Sequence, residues 1–292
     1  MNIEFEPVSL QRQEEYLSFL RQAPQCPSDY SFINLWGWQE SYGLEWAFLP
    51  NMVLIRQTLP EEKCWAPIGC WQNFDWQQMG DCLRQGMQFV RVPEQLKDLM
   101  RLNIAGLEIT DSRDHWDYLY SRQELSELKG NRFHKKKNLV RQFERDYETQ
   151  YIPLDSGHVE KVLTFQTEWL MWRNFEGDDT LDAENRAIYR VLRDWGKLTG
   201  IMGGAFLFEN RFIAYTIGEP LNDATLVIHF EKGCPNFKGI YQAINQAFLL
   251  HCAQDFTIIN REQDLGDPGL RKSKESYHPV DYLKKYEIRV TA

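Results

Sequence analysis

The chain has 292 residues, with 33 Lys and Arg against 42 Asp and Glu, a formal net charge of −9, 43 % apolar residues and ten Trp. A prior of roughly 100–200 residues per domain favours two domains, and this composition excludes disorder, collagen-like sequence and coiled-coil arrays. No apolar run approaches the ~18 residues that span a bilayer, and MNIEFEPVSL has neither a basic start nor an apolar segment, so a cytoplasmic protein is expected.

In chain order, a strand over 3–8 precedes a helix that Ser9 caps and that runs to about residue 22, with Leu10, Tyr16, Leu17 and Leu20 on one side. Ser28 or Asp29 caps a second helix, which stops before Gly43. Strands over 46–49 and 52–57 turn about Pro50-Asn51. A strand over 65–70, a helix over 74–85, a strand over 88–92, a short helix opened by Pro93 and a strand over 107–110 complete this half. The second half repeats the order. A strand over 151–154 leads to a helix capped by Ser156 and another capped by Asp182, then to a hairpin of strands 204–209 and 212–219. A strand over 225–232, a helix over 239–253, a strand over 257–260, a short helix over 268–276 and a strand over 286–290 follow.

Both halves spell β-α-α-β-β-β-α-β-α-β from unrelated residues. The order resembles that of the GNAT acyltransferases, whose central strands splay apart to admit an acyl donor. An α+β fold with mixed sheets is therefore expected, a GNAT-like unit duplicated in tandem over residues 1–120 and 121–292. The boundary falls near 112–125.

Six scattered Cys, none in a C-x-x-C pair, read as reduced thiols, and the six His show no metal-ligand spacing, so no metal is expected. Charge is less uniform. Lys129 to Tyr147 carries seven Lys and Arg against Glu144 and Asp146 on an otherwise acidic chain. Lys135, Lys136, Lys137 and Arg141 form its centre, and Lys137 and Arg141 share a helix face. Such a patch suits one docked anion, a tRNA backbone being the candidate, and suits a solvated helix surface equally.

In CoA-using members of the fold, the turn from the third long strand into the next helix cradles a pyrophosphate on backbone N–H groups and the helix dipole. Here Lys238 and Gly239 occupy that turn, without the usual Q/R-x-x-G-x-G/A loop, and an ordinary turn explains them as well. The matching turn of the first half, WQNFDWQQM, has no glycine, so the first copy is expected to have no donor site. The densest polar cluster is NREQDLGDPGLRKSKESY, Asn260 to Tyr277, directly after a strand at the cleft end of the sheet. His229 and His251 read as packed or surface residues, and the Trp between Trp36 and Trp76 as core.

These same residues carry a resemblance. FEK at Phe230–Lys232, GIYQAIN at Gly239–Asn245, the run from Asn260 to Pro279 and LKKY at Leu283–Tyr286 resemble soluble bacterial proteins similar to the C-terminal domain of phosphatidylglycerol lysyltransferase. FINLWGW at Phe32–Trp38 and LKGNR at Leu128–Arg132 extend the resemblance over nearly the whole chain. It implies a tandem GNAT fold related to the peptidoglycan-bridge aminoacyl transferases, with no tightly bound cofactor and aminoacyl-tRNA or acyl-CoA as donor. The acceptor is a small-molecule, peptide or lipid amine or hydroxyl; the flippase module that accompanies the lipid enzyme is absent, which weakens the lipid. On that reading Asp264 and Glu231 hold an aminoacyl ammonium, and Arg271 or Lys274 stabilises an oxyanion or a phosphate. Tyr277 donates a proton to the leaving hydroxyl, and Asn260 and Arg261 line the donor site with Lys238 and Gly239. The rivals are an acetyl-CoA-dependent N-acetyltransferase and a non-catalytic ligand- or tRNA-binding module.

Overall fold

A pleated strand buries alternate residues only if its neighbours cover them, and in this chain the neighbours come from distant sequence. The structure is a computed structural model that describes residues 3–74, 76, 83, 85–173 and 179–291. It divides into unit one, Met1–Asp117 with Gln263–Pro268 and Tyr282–Ala292, and unit two, Tyr118–Glu262 with Gly269–Asp281.

Unit one carries β1 (Glu6–Pro7), β2 (Glu45–Leu49), β3 (Met52–Gln57), β4 (Lys63–Trp65), β5 (Ile68–Gly69), β6 (Gln88–Pro93) and β7 (Leu107–Asp111). Its sheet order is β1-β2-β3-β4-β6, then the C-terminal strand Lys285–Val290, then β7, with β5 beside β3. β4 runs parallel to β6 for two pairs only, Cys64 with Phe89 and Trp65 with Val90. Ser31, rather than Ser28 or Asp29, caps the helix Phe32–Tyr42 by accepting the Asn34 N–H at 3.3 Å. Gly43 ends that helix with φ +55°, as its position suggested. Tyr16, Phe32 and Trp46 form a buried aromatic cluster with the half-buried Phe48 beside it, and Tyr16 stacks on Trp46 at 5.5 Å. Trp65, Trp71 and Trp76 are buried as well, which gives these tryptophans a packing use. Most of the helix expected over 74–85, and Cys82, lie outside the described residues.

Unit two carries β8 (Asp117–Ser121), β9 (Gln150–Pro153), β10 (Met202–Phe208), β11 (Arg211–Pro220), β12 (Thr225–Gly233) and β13 (Ile258–Asn260), in the order β8-β13-β12-β11-β10-β9. The hairpin and the three long strands fall where the sequence put them. Helices His134–Asp146, Val159–Arg173, Asp179–Arg193 and Ile240–His251 belong to this unit.

Two strands depart from the sequence reading. Lys285–Val290 was expected to close the second copy, yet it lies in unit one, antiparallel to both β6 and β7, with Ile288 opposite Phe89 and Ile109. There Ile288 and Val290 are buried, which the edge of a sheet would not provide. Within residues 112–125 a strand forms that the sequence reading did not contain: β8, antiparallel to β13, with the alternating Tyr118 and Tyr120 buried. Element order cannot reveal such pairings, because it carries no information on which edge a strand joins.

Candidate active site

β12 and β13 pair in parallel over three residues, ending at Val227 with Asn260. Beyond this point β12 continues to Gly233 against β11, while the chain after Asn260 turns away toward β8, where the Arg261 N–H donates to the Tyr118 carbonyl at 3.0 Å. The hook is held from within. The buried Asn260 side chain accepts the Glu262 N–H at 2.8 Å, and Lys274 Nζ donates to the Arg261 and Glu262 carbonyls. Glu262 sits at φ +55°, a conformation that a non-glycine residue keeps only under such constraint. Lys274 is thus a clamp on the hook rather than an open anion ligand.

Two charged contacts span the parting. Glu231 accepts from Arg261 Nη2 at 3.0 Å and from Asn245 Nδ2 at 2.8 Å. His229 lies between Glu219 at 3.0 Å and Glu262 at 2.8 Å, with no exposed side-chain surface. Burial works against its charge, but the two carboxylates outweigh that and raise its pKa to about 9. The residue occupies a β-bulge: Ile217 pairs with Phe230 and Gly218 with Ile228, which leaves His229 as the extra residue. Only glycine fits opposite, since a Cβ on Gly218 would come within 2.3 Å of the Val227 carbonyl. The sequence reading took His229 as a packed or surface residue and did not foresee its two carboxylate partners. The signal was Gly218 inside an apolar strand, a usual mark of a bulge.

Around Arg261 the cluster is cationic. Its guanidinium lies 4.8 Å from the Tyr277 ring centroid, and Lys136 Nζ lies 3.9 Å from that same centroid. Arg261 Nη1 is buried and has no hydrogen-bond partner among the described residues. Burial and the nearby Arg261 charge both lower the Lys136 pKa. Burial raises the Tyr277 hydroxyl, with Arg261 opposing the shift. Phe133, Lys136, Val140 and Phe143 follow helical spacing, and the three apolar members are buried, so Lys136 stands on the inward stripe of its helix. Lys135 and Arg141 are exposed on the same helix.

The structure therefore brings together Glu231, Asn260, Arg261, Lys274, Tyr277 and Lys136. It does not add Asp264, which belongs to unit one and there accepts from Arg113 Nη1 at 3.1 Å and from the Gly266 N–H at 2.9 Å. Arg271 lies half-buried on the helix Pro268–Glu275, and Lys238 is exposed. Gly239 has φ +90°, and a Cβ there would come within 2.3 Å of the Leu139 carbonyl. The glycine is required where the helix His134–Asp146 passes close to the turn, a packing reason for it that involves no phosphate. On the opposite face of β12, Lys232 donates to Glu184 at 2.7 Å and lies 4.3 Å from the Trp169 ring centroid, a second pair that the sequence did not announce.

Comparison with known proteins places this site in context. The family model described as phosphatidylglycerol lysyltransferase, C-terminal, matches residues 20–289. A solved protein of unknown function from Bacteroides thetaiotaomicron superposes with a TM-score of 0.90 at 27 % identity, covering 99 % of this chain and 100 % of that one. L-PGS from Bacillus licheniformis gives 0.68 at 14 % identity, covering 100 % of this chain and 94 % of that one. FemX gives 0.60 at 8 % identity, covering 99 % and 98 %. The last two likenesses are of fold alone, and the fold is the expected mixed α+β with mixed sheets. No helix among the described residues is long and apolar enough to cross a membrane.

Proposed function

Because the chain belongs to the phosphatidylglycerol lysyltransferase C-terminal family, we propose that it transfers an acyl or aminoacyl group from an activated ester to an amine or hydroxyl, with the donor seated in unit two. The observation that carries this reading is the parting of β12 and β13, where Arg261 keeps a buried N–H without a protein acceptor beside Glu231 and Tyr277. In the proposed reaction the acceptor nitrogen or oxygen attacks the donor carbonyl carbon. The new bond forms, the bond from that carbon to the carrier oxygen breaks, and the acceptor's proton ends on the leaving oxygen. Arg261 Nη1 carries two N–H donors; one donates to the carbonyl oxygen as negative charge grows on it, and the other stays available. Tyr277, kept protonated by burial, gives its proton to the leaving oxygen and recovers one from the acceptor. Glu231 keeps lone pairs free after binding Arg261 and Asn245, and these suit a donor ammonium. Asp264 is left out of this role.

Gly239 has a packing use against Leu139, and the turn lacks the glycine-rich loop of CoA users, so an aminoacyl ester of tRNA is the favoured donor over acyl-CoA. The acceptor is a small-molecule, peptide or lipid amine or hydroxyl. Thermal melting with an aminoacylated minihelix, set beside melting with acetyl-CoA, tests the reading. A ligand at 100 Kd stabilises by about 2.7 kcal/mol, so the minihelix should shift the transition visibly and acetyl-CoA should not. Protection by acetyl-CoA alone would select the N-acetyltransferase. Protection by neither would end the transferase reading.

A further inference from the structure

Lysine on the inward stripe of an amphipathic helix costs stability unless something offsets its desolvation. At Lys136 nothing in the protein does so fully. No carboxylate pairs with it among the described residues, and its nearest charged neighbour across Tyr277 is another cation, Arg261. The one carboxylate in hydrogen-bond contact with Arg261, Glu231, is already shared with Asn245. Arg261 Nη1, buried and without an acceptor, leaves a donor unused at the same place. Two like charges beside one aromatic ring, with a spare buried N–H, form an arrangement that an anion completes.

We infer that Lys136, Arg261 and Tyr277 form a phosphate-ester site that anchors one phosphate of the molecule entering the parting of β12 and β13. The inference rests on the transferase reading for what enters, and on the cluster itself for the chemistry. A phosphate supplies several acceptor oxygens, enough for the Lys136 ammonium and the Arg261 Nη1 N–H that does not face the reacting carbonyl, and its charge offsets the excess cation. Lys136 is then a ligand of the site, whereas Lys135 and Arg141 stay on the exposed side of the helix. A nucleotide and a glycerophosphate share this chemistry, and the probes separate them.

The test is thermal melting of the full chain in sodium phosphate against sodium chloride of equal ionic strength, then with cytidine 5′-monophosphate and with glycerol 3-phosphate. Phosphate should stabilise the unaltered protein, and whichever ester stabilises it at the lower concentration is the source. Lys136→Met keeps the alkyl stem over the ring and removes the charge, so it should weaken phosphate binding roughly tenfold or more. Lys136→Arg should restore binding, and Lys135→Met should leave it unchanged. The inference is overturned if none of the three anions stabilises the protein, or if Lys136→Met and Lys135→Met respond alike. Failure of the broader reading looks different: phosphate protection through Lys136 without protection by any acyl donor removes the transferase and keeps the site. Minihelix protection undiminished in Lys136→Met removes the site and keeps the transferase.

Discussion

Arg91 and Arg261 occupy the same place in the two units, each following the last residue of a short parallel strand pair. Their surroundings differ in whether the charges close. Arg91 donates to Asp29 at 2.8 Å and lies 4.2 Å from the Trp65 ring centroid. Asp29 also accepts from Lys285, and Lys285 donates to Asp117 at 2.6 Å, so two cations meet two carboxylates. Ser28 completes the Asp117 carboxylate through its N–H and hydroxyl, at 2.8 and 2.9 Å. Arg261 has one carboxylate, a second cation near it and a donor to spare. A closed network of this kind fixes strands to one another, whereas an open one has capacity for a ligand. From this contrast we propose that the donor site belongs to the second unit.

The sharpest way to break this comparison is to remove Lys285, which has no exposed side-chain surface and joins the C-terminal strand to Asp29 and Asp117. Lys285→Met should cost about 3–5 kcal/mol, because a buried carboxylate is left without its cation. Urea unfolding measures it, and a loss under about 1 kcal/mol would mean the network is not closed as described. Adding Asp117→Asn to Lys285→Met should recover part of the loss.

Dependence on pH separates the units next. His229 is raised from its ordinary 6.5 to about 9, so its protonation contributes stability that is fully present below pH 6.5 and lost as pH rises to about 9 and beyond. The loss is on the order of 3 kcal/mol. Among the described residues, unit one has no histidine raised into that window, since burial lowers His115. Lys285 is raised from an already high value by its two aspartates, against the opposing effect of burial, and Asp29 is lowered by Lys285 and Arg91 despite burial. A His229→Gln variant should therefore be less stable than the unaltered chain at pH 6 and should lose the decline between pH 6.5 and 9. A decline that persists unchanged would assign it to other groups.

Much of the fold was legible because period and punctuation survive in one sequence. The hairpin of β10 and β11, the strand β12 and the helix Ile240–His251 follow from alternation, from Asn210-Arg211 and from Gly239. The strand β8 and the placing of Lys285–Val290 in unit one were not legible, since strand pairing is a long-range choice. At the site, residue types were legible and roles were less so. Glu231, Arg261 and Tyr277 do gather, but Lys274 turns to backbone carbonyls, and Lys136 turns inward from what read as one basic surface. The apolar residues at 133, 140 and 143 were the sign that position 136 faces in, and the run of charges around it concealed that sign.

Gly239 sharpens the comparison at the strand-to-helix turn of unit two, since the matching stretch of the first half, WQNFDWQQM, has no glycine. If the residue serves close packing against Leu139, Gly239→Ala should cost roughly 1–3 kcal/mol through the clash and its φ of +90°, and should leave phosphate stabilisation of the folded protein in place. Loss of phosphate stabilisation at unchanged stability would instead return the glycine to an anion cradle.

The smallest effect belongs to the exposed side of the basic helix. Lys135 and Arg141 are exposed, and each contact with a nucleic-acid phosphate that they make releases counterions. Replacing both by Met should reduce the log–log salt slope of minihelix binding by roughly 0.7–0.9 per residue lost. Folding stability should hardly change, because exposed single charges contribute little. Lys136→Met should behave otherwise, lowering affinity at every salt concentration, since a half-buried charge is screened less than an exposed one. Equal salt slopes for the double variant and the unaltered chain would make Lys135 and Arg141 a solvated face, with Lys136 alone turned to the ligand.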